Sequence, residues 1–241
     1  MNKVIFSGSK DSDTDMHSSD NESAVKNLLY DKSYTCPVCG NEFKAKALKA
    51  CAYRLQKSDS DFYKTYSLIN PYFYDVVLCS NCGYAAIHNT FSRIRQSQVQ
   101  AVLESIKSKW HKRNYPEIYD VNIAIERYKL SLLNYVVINA KSSVKAINCL
   151  KLSWMYRLIN DADNELNFQK QALKEFNDAY FNEDFPLCGM DKYTSIYLIG
   201  ELNRRTGNKE EALRWFSEVI TTPNVKPRIK NLARDQRDLI K

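Results

Sequence analysis

The stretch that decides the fold is Tyr34-Thr-Cys-Pro-Val-Cys-Gly-Asn-Glu-Phe43, together with its echo at Cys79-Ser-Asn-Cys-Gly83. Each contains a C-x2-C pair followed at once by glycine. Two thiolates two residues apart in a tight turn can face one ion, and two such turns complete a tetrahedron, so Cys36, Cys39, Cys79 and Cys82 are read as the ligands of one zinc ion. Gly40 and Gly83 supply the positive φ that lets each turn aim its backbone amides at sulfur. The interval from Gly40 to Leu78 is about 39 residues, longer than the roughly 15–20 of a compact ribbon, which requires an inserted subdomain between the knuckles.

Four thiolates fill every position of a tetrahedral site and leave none for water or substrate, so the expected zinc is structural, one per chain. The same donor set suits iron of the rubredoxin type. A pair of disulfides or a redox C-x2-C fits less well, because no secretory signal precedes the pairs and both are followed by glycine. Cys51 and His88 stand nearby in sequence as rival ligands, with a buried thiol and an ordinary imidazole as the plainer readings.

Working outward, the first knuckle lies in strand-like text, in which Phe43, Ala45 and Ala47 alternate with Lys44 and Lys46. Residues Tyr72, Phe73, Tyr74, Val76, Val77 and Leu78 form an aromatic and β-branched run expected to deliver Cys79 at the end of a strand. Tyr63, Tyr66, Tyr72, Phe73 and Tyr74 offer either an aromatic binding surface or the core of a small module. Ser58-Asp-Ser-Asp61 reads as a turn whose side chains bond its own backbone, against the alternative that Asp59 and Asp61 hold a second metal in a hydrolase or nuclease.

After Phe91 the period becomes helical, with segments near 92–111, 117–139, 142–159, 163–182, 190–206, 209–221 and 226–240. Ser195 to Pro223, SIYLIGELNRRTGNKEEALRWFSEVITTP, resembles a tetratricopeptide repeat. Ile196 and Ile199 stand at the Trp and Leu places, Gly200 at the helix contact, Ala212 and Phe216 at the A-x3-F pair, and Pro223 near the closing proline. Ile196 and Asn203 depart from the pattern's aromatic residues. Residues 144–180, with Trp154, Tyr156, Ala172, Leu173 and Phe176, give a looser copy, 117–139 a helix of an earlier pair, and 226–240 a cap.

The expected fold class is therefore α+β, predominantly α, with a small zinc-ribbon-like β module followed by a tetratricopeptide-like helical solenoid. The expected division is a disordered tail over 1–27, rich in Ser, Asp and Asn, a zinc module over 28–91 and a helical domain over 92–241. The formal charge of +7 lies wholly beyond residue 92, the preceding part holding ten basic and ten acidic side chains. Arg93, Arg95, Lys107, Lys109, Lys112 and Arg113 against Glu104, and the stretch from Arg204 to Lys241, are the candidate basic patches. The absence of a long apolar run and of an apolar leader predicts a cytoplasmic protein with no membrane span.

The words Tyr34–Phe43, Ser58–Asp61, Asn70-Pro-Tyr-Phe-Tyr-Asp75, Cys79–Ala85 and Phe91, in this order, resemble the bacterial family named domain of unknown function 2225, over about residues 28–240. The resemblance implies the knuckle ligands and the helices, and it supplies no catalytic residue. No phosphate loop, nucleophile elbow or H-E-x-x-H occurs. The function expected is a zinc-binding adaptor that binds a protein or peptide on its helical repeats. A nucleic-acid-binding or transcription-associated zinc-ribbon factor is the alternative.

Overall fold

The structure, a computed structural model, describes residues 23–240. Most of the expected tail lies outside the described residues, and at its end residues 23–27 form one helical turn that seats Val25 and Leu28 on the apolar cluster around Leu29. The chain is α+β and predominantly α. Among the described residues, three two-stranded antiparallel sheets lie between that turn and the longer helices.

β1 (Leu29–Thr35) pairs with β2 (Glu42–Leu48), and β5 (Val76–Leu78) pairs with β6 (Ala85–Ile87). Each knuckle is the turn of one of these hairpins. The inserted subdomain is a third hairpin, β3 (Arg54–Ser58) with β4 (Lys64–Ser67), bulged between Leu55 and Lys57.

One expectation fails here: Tyr72, Phe73 and Tyr74 are not strand but a 3-10 turn spanning Pro71–Tyr74, and only Val76–Leu78 is extended. The reason is local. The Asn70 side chain accepts a hydrogen bond from the Tyr72 amide at 3.0 Å, and Pro71 fixes the first turn's φ, so the Asn-Pro pair outweighs the β propensity of the aromatics.

The helices are α1 (Gln96–Ser105), α2 (Val121–Val137), α3 (Ser142–Leu158), α4 (Ala162–Asn182), α5 (Lys192–Arg205), α6 (Lys209–Thr221) and α7 (Pro227–Asp238). Aspartates start three of them: Asp120, Asp161 and Asp191 accept from the amides of Ile123, Asn164 and Thr194 at 2.8, 3.1 and 2.8 Å. α1 is shorter than its sequence signal, because the chain tightens into a 3-10 turn at Lys107–Lys109.

α3 packs against α4 and α5 against α6, with α7 laid on the second pair. In that pair a Cβ on Gly200 would lie 2.9 Å from the Phe216 ring, so the small residue sets how closely the helices approach. The apolar interior runs across residue 92 without a break: Val76, Leu78, Ala85 and Ile87 belong to the same cluster as Tyr128, Leu150, Met155 and Phe176. Among the described residues no helix is long and apolar enough to cross a membrane.

Candidate metal centre

The two knuckles have the same backbone. Cys36 N–H donates to the Asn41 carbonyl and Gly40 N–H to the Cys36 carbonyl; Cys79 N–H donates to Tyr84 and Gly83 N–H to Cys79, each at 2.9 Å. Gly40 and Gly83 have φ of 70° and 74°, the left-handed turn that the sequence anticipates at these positions. Hairpin pairing then brings all four cysteines together, with the Cys36 and Cys82 sulfurs 3.6 Å apart and those of Cys39 and Cys79 3.7 Å apart.

All four Sγ atoms lie within 4.8 Å of one another. A tetrahedral ion with metal–sulfur bonds of about 2.3 Å needs sulfurs about 3.8 Å apart, so the cluster could hold a metal ion with little rearrangement. Among the described residues this is the only such group, and neither Cys51 nor His88 belongs to it.

Four thiols this close cannot all ionise on their own. Crowding of the sulfurs divides the charge unevenly: the Cys36 and Cys82 thiols hold Cys79 far below the usual thiol range, Cys79 pushes Cys36 upward, and Cys36 and Cys79 together push Cys82 upward. One thiolate is thus stabilised at its neighbours' expense, and four can coexist only around positive charge. Asn81 Nδ2 donates to Cys39 Sγ at 3.5 Å, support of the kind that tunes a ligand from outside the tetrahedron.

Helical residues lock the second knuckle in place, and sequence reasoning did not find them. Asn134 of α2 donates to the Gly83 carbonyl at 3.2 Å, and the Tyr135 hydroxyl accepts from the Ile87 amide at 2.8 Å. Trp110 donates to the Ser80 carbonyl at 2.8 Å and lies against Gly83, where a Cβ would come within 2.6 Å of the ring. A tryptophan alone in the polar text Ser-Lys-Trp-His-Lys-Arg was the available signal for its role.

The turn Ser58–Asp61 is neither a free acidic pair nor a turn closed only on itself. The Asp59 backbone carbonyl accepts from the Phe62 amide, and the Asp61 side chain accepts from the Tyr63 amide at 3.3 Å, the second being the side-chain-to-backbone bond that the sequence anticipates. The tip also sinks into the face shared by α3 and α5, leaving Asp61 fully buried. There Arg157 pairs with it at 2.5 Å, Trp154 Nε1 donates to it at 3.1 Å, and Arg205 stands at 3.8 Å. Burial would raise the Asp61 pKa, but the Arg157 hydrogen bond and the field of Arg205 hold it below the ordinary carboxylate value. Ser60 is clasped as well: its hydroxyl donates to Glu201 at 2.7 Å and its carbonyl accepts from the Tyr197 hydroxyl at 2.8 Å. With both carboxylates bonded to Arg157, Asp61 has no open side for a second metal or a substrate.

His88 faces Asp75 through Nδ1 at 2.8 Å, and Cys51 is exposed in the loop between β2 and β3. Of the basic residues, Lys107, Lys109 and Lys112 are exposed, Lys112 beside Ser80 and Asn81 of the second knuckle, while Arg113 is committed to Glu126 and stands 5.8 Å over Trp110.

The model of a family described as an uncharacterized protein conserved in bacteria, DUF2225, matches residues 29–240. No curated protein and no solved structure matches the chain.

Proposed function

The chain belongs to this bacterial family, and on that footing we propose that it is a zinc-binding interaction adaptor of the cytoplasm. One structural zinc, held by Cys36, Cys39, Cys79 and Cys82, staples two hairpins to tetratricopeptide-like helix pairs. The observation that carries the reading is the closed set of four sulfurs inside a core shared with the helices, a place suited to holding surfaces rather than to activating water. None of the seven cysteines is paired in a disulfide, which suits a reducing compartment.

The face shared by α3 and α5 already holds the Ser58–Asp61 tip, so the partner surface of this reading moves outward to the hairpin seated there. β3 is exposed along its whole length, Leu55 and Leu68 are 56% and 75% exposed, and both hairpin edges are unpaired. An extended peptide can add to such an edge, with backbone hydrogen bonds giving affinity and Leu55 and Leu68 giving selectivity.

Photocrosslinking residues installed at Leu55 and at Leu68 in the native bacterium should capture one and the same protein. One at exposed Phe181, on α4, should not. No specific adduct at either hairpin position, or purified protein that turns over a small substrate, contradicts the adaptor reading. Nucleic acid is the less favoured partner, since the basic stretch beside the knuckle has Trp110 packed on Gly83 and Arg113 tied to Glu126.

A further inference from the structure

A cavity of about 290 Å3 opens where the β1–β2 hairpin, the inserted hairpin, the Pro71–Tyr74 turn and α3 meet. Its walls are tyrosines. Tyr53 meets Tyr66 edge to face at 5.2 Å and 82°, and Tyr66 meets Tyr72 in the same manner at 6.0 Å and 64°. In each contact one ring turns its edge to the face of the other, and Tyr53, 38% exposed, keeps ring surface open on which a planar ligand can stack. Tyr30, on the wall from β1, is 43% exposed, large for an aromatic ring set in a cavity.

The floor is polar and organised. Asp75 is 9% exposed and spends its oxygens on His88 Nδ1 at 2.8 Å, on Lys151 Nζ and on the Tyr128 hydroxyl at 3.0 Å. Burial would raise its pKa, but Lys151 and His88 lower it to about 2, so the carboxylate stays charged and its partners stay oriented. With Nδ1 engaged, His88 has Nε2 left for a ligand, and the side chain is 57% exposed. Lys32 adds an ammonium 5.3 Å over the Tyr34 ring at the rim. The one carboxylate is already satisfied, so the open valences of the cavity are donors and cations beside aromatic faces.

We infer that this cavity binds a nucleotide unit, its base against the tyrosine rings and its phosphate on Lys32, His88 and Lys151. Aromatic faces and cations at one site suit a ring that carries an anion better than they suit an apolar ligand or a bare anion. The unit has two sources, a free nucleotide or a nucleotide of a single strand. A second cavity of about 620 Å3 shares Lys151 and adds Arg93 and Lys141, which gives a strand somewhere to continue.

Binding is read on the purified full-length, metal-loaded protein and so does not depend on the adaptor reading. Calorimetric titration with the four common nucleoside monophosphates should show binding at least about tenfold tighter than with the matching nucleosides or with inorganic phosphate. Lys32→Ala and His88→Gln, both at exposed positions, should each weaken it by about tenfold with unchanged circular dichroism, and Lys107→Ala should not. Tighter binding of a short single-stranded oligonucleotide, with the same loss in Lys32→Ala, assigns the unit to a strand; equal or weaker binding assigns it to the free nucleotide. No binding of any monophosphate or oligonucleotide at millimolar concentration, or binding that Lys32→Ala and His88→Gln leave unchanged, overturns the inference.

Discussion

At the scale of single residues, two buried aspartates organise the molecule, and they differ in how far the sequence announced them. Asp61 sits in a Ser-Asp-Ser-Asp turn whose local bonding is legible. Its partners Trp154, Arg157 and Arg205 are remote in sequence, and nothing local to the turn points to them. Removing one member of a buried pair strands the other, a loss of about 3–5 kcal/mol at the upper end. Asp61→Asn should therefore cost about 2–4 kcal/mol in urea unfolding, whereas Asp59→Asn, on the more exposed carboxylate, should cost under about 1 kcal/mol. Equal effects would mean that the turn is not anchored as described. Asp75 makes a statement about pH. Its folded pKa of about 2 lies below the ordinary carboxylate value, so the stabilisation it provides is present above about pH 4 and is lost as pH falls toward 2. The whole shift corresponds to about 2 kcal/mol. Metal loss in acid affects wild type and Asp75→Asn alike, so the difference between their urea midpoints should shrink over this range. A difference that holds constant from pH 5 to 2 would contradict the assignment.

At the scale of elements, what a short window encodes was readable and what depends on docking was not. The knuckle turns and the close contact at Gly200 follow from spacing and small side chains, and the helical period places the segments without fixing the aspartate caps that start three of them. The Pro71–Tyr74 turn departs from the strand expected of its aromatics because the Asn-Pro start signal outweighs their β propensity. Asn134, Tyr135 and Trp110 were invisible as knuckle supports, since their roles exist only once α2 and residue 110 lie against the second hairpin. The two knuckle glycines separate these levels. Gly40 has open space where a Cβ would go, and Gly83 has the Trp110 ring there. Gly40→Ala should cost about 1–2 kcal/mol for positive φ alone, and Gly83→Ala about 1–3 kcal/mol more for the clash. Thermal or urea unfolding of the two variants checks the order; a Gly40→Ala variant as damaged as Gly83→Ala would remove Trp110 from this role.

At the scale of the whole molecule, the metal cluster is not an appendage. Cys36, Val38, Cys79, Cys82 and Tyr84 share one apolar cluster with Val102, Ile106, Tyr135 and Ile138 of the helical half. Chelation should therefore loosen α1 and the end of α2 as well as the hairpins, seen as faster amide exchange over residues 96–106 and 134–138, while α5 to α7 stay protected. Exchange confined to residues 29–48 would show that the clusters are less continuous than their packing indicates. The composition change near residue 90 was visible in sequence, but the shared interior beneath it was not, because a hydrophobic pattern says which face is buried and not what buries it. The central claim, a closed structural site of four thiolates, is tested most directly by X-ray absorption at the metal of the purified protein. It predicts one zinc per chain with four sulfur neighbours at about 2.3 Å. A mixed nitrogen and sulfur shell, or a fully folded protein that carries no metal, would contradict it.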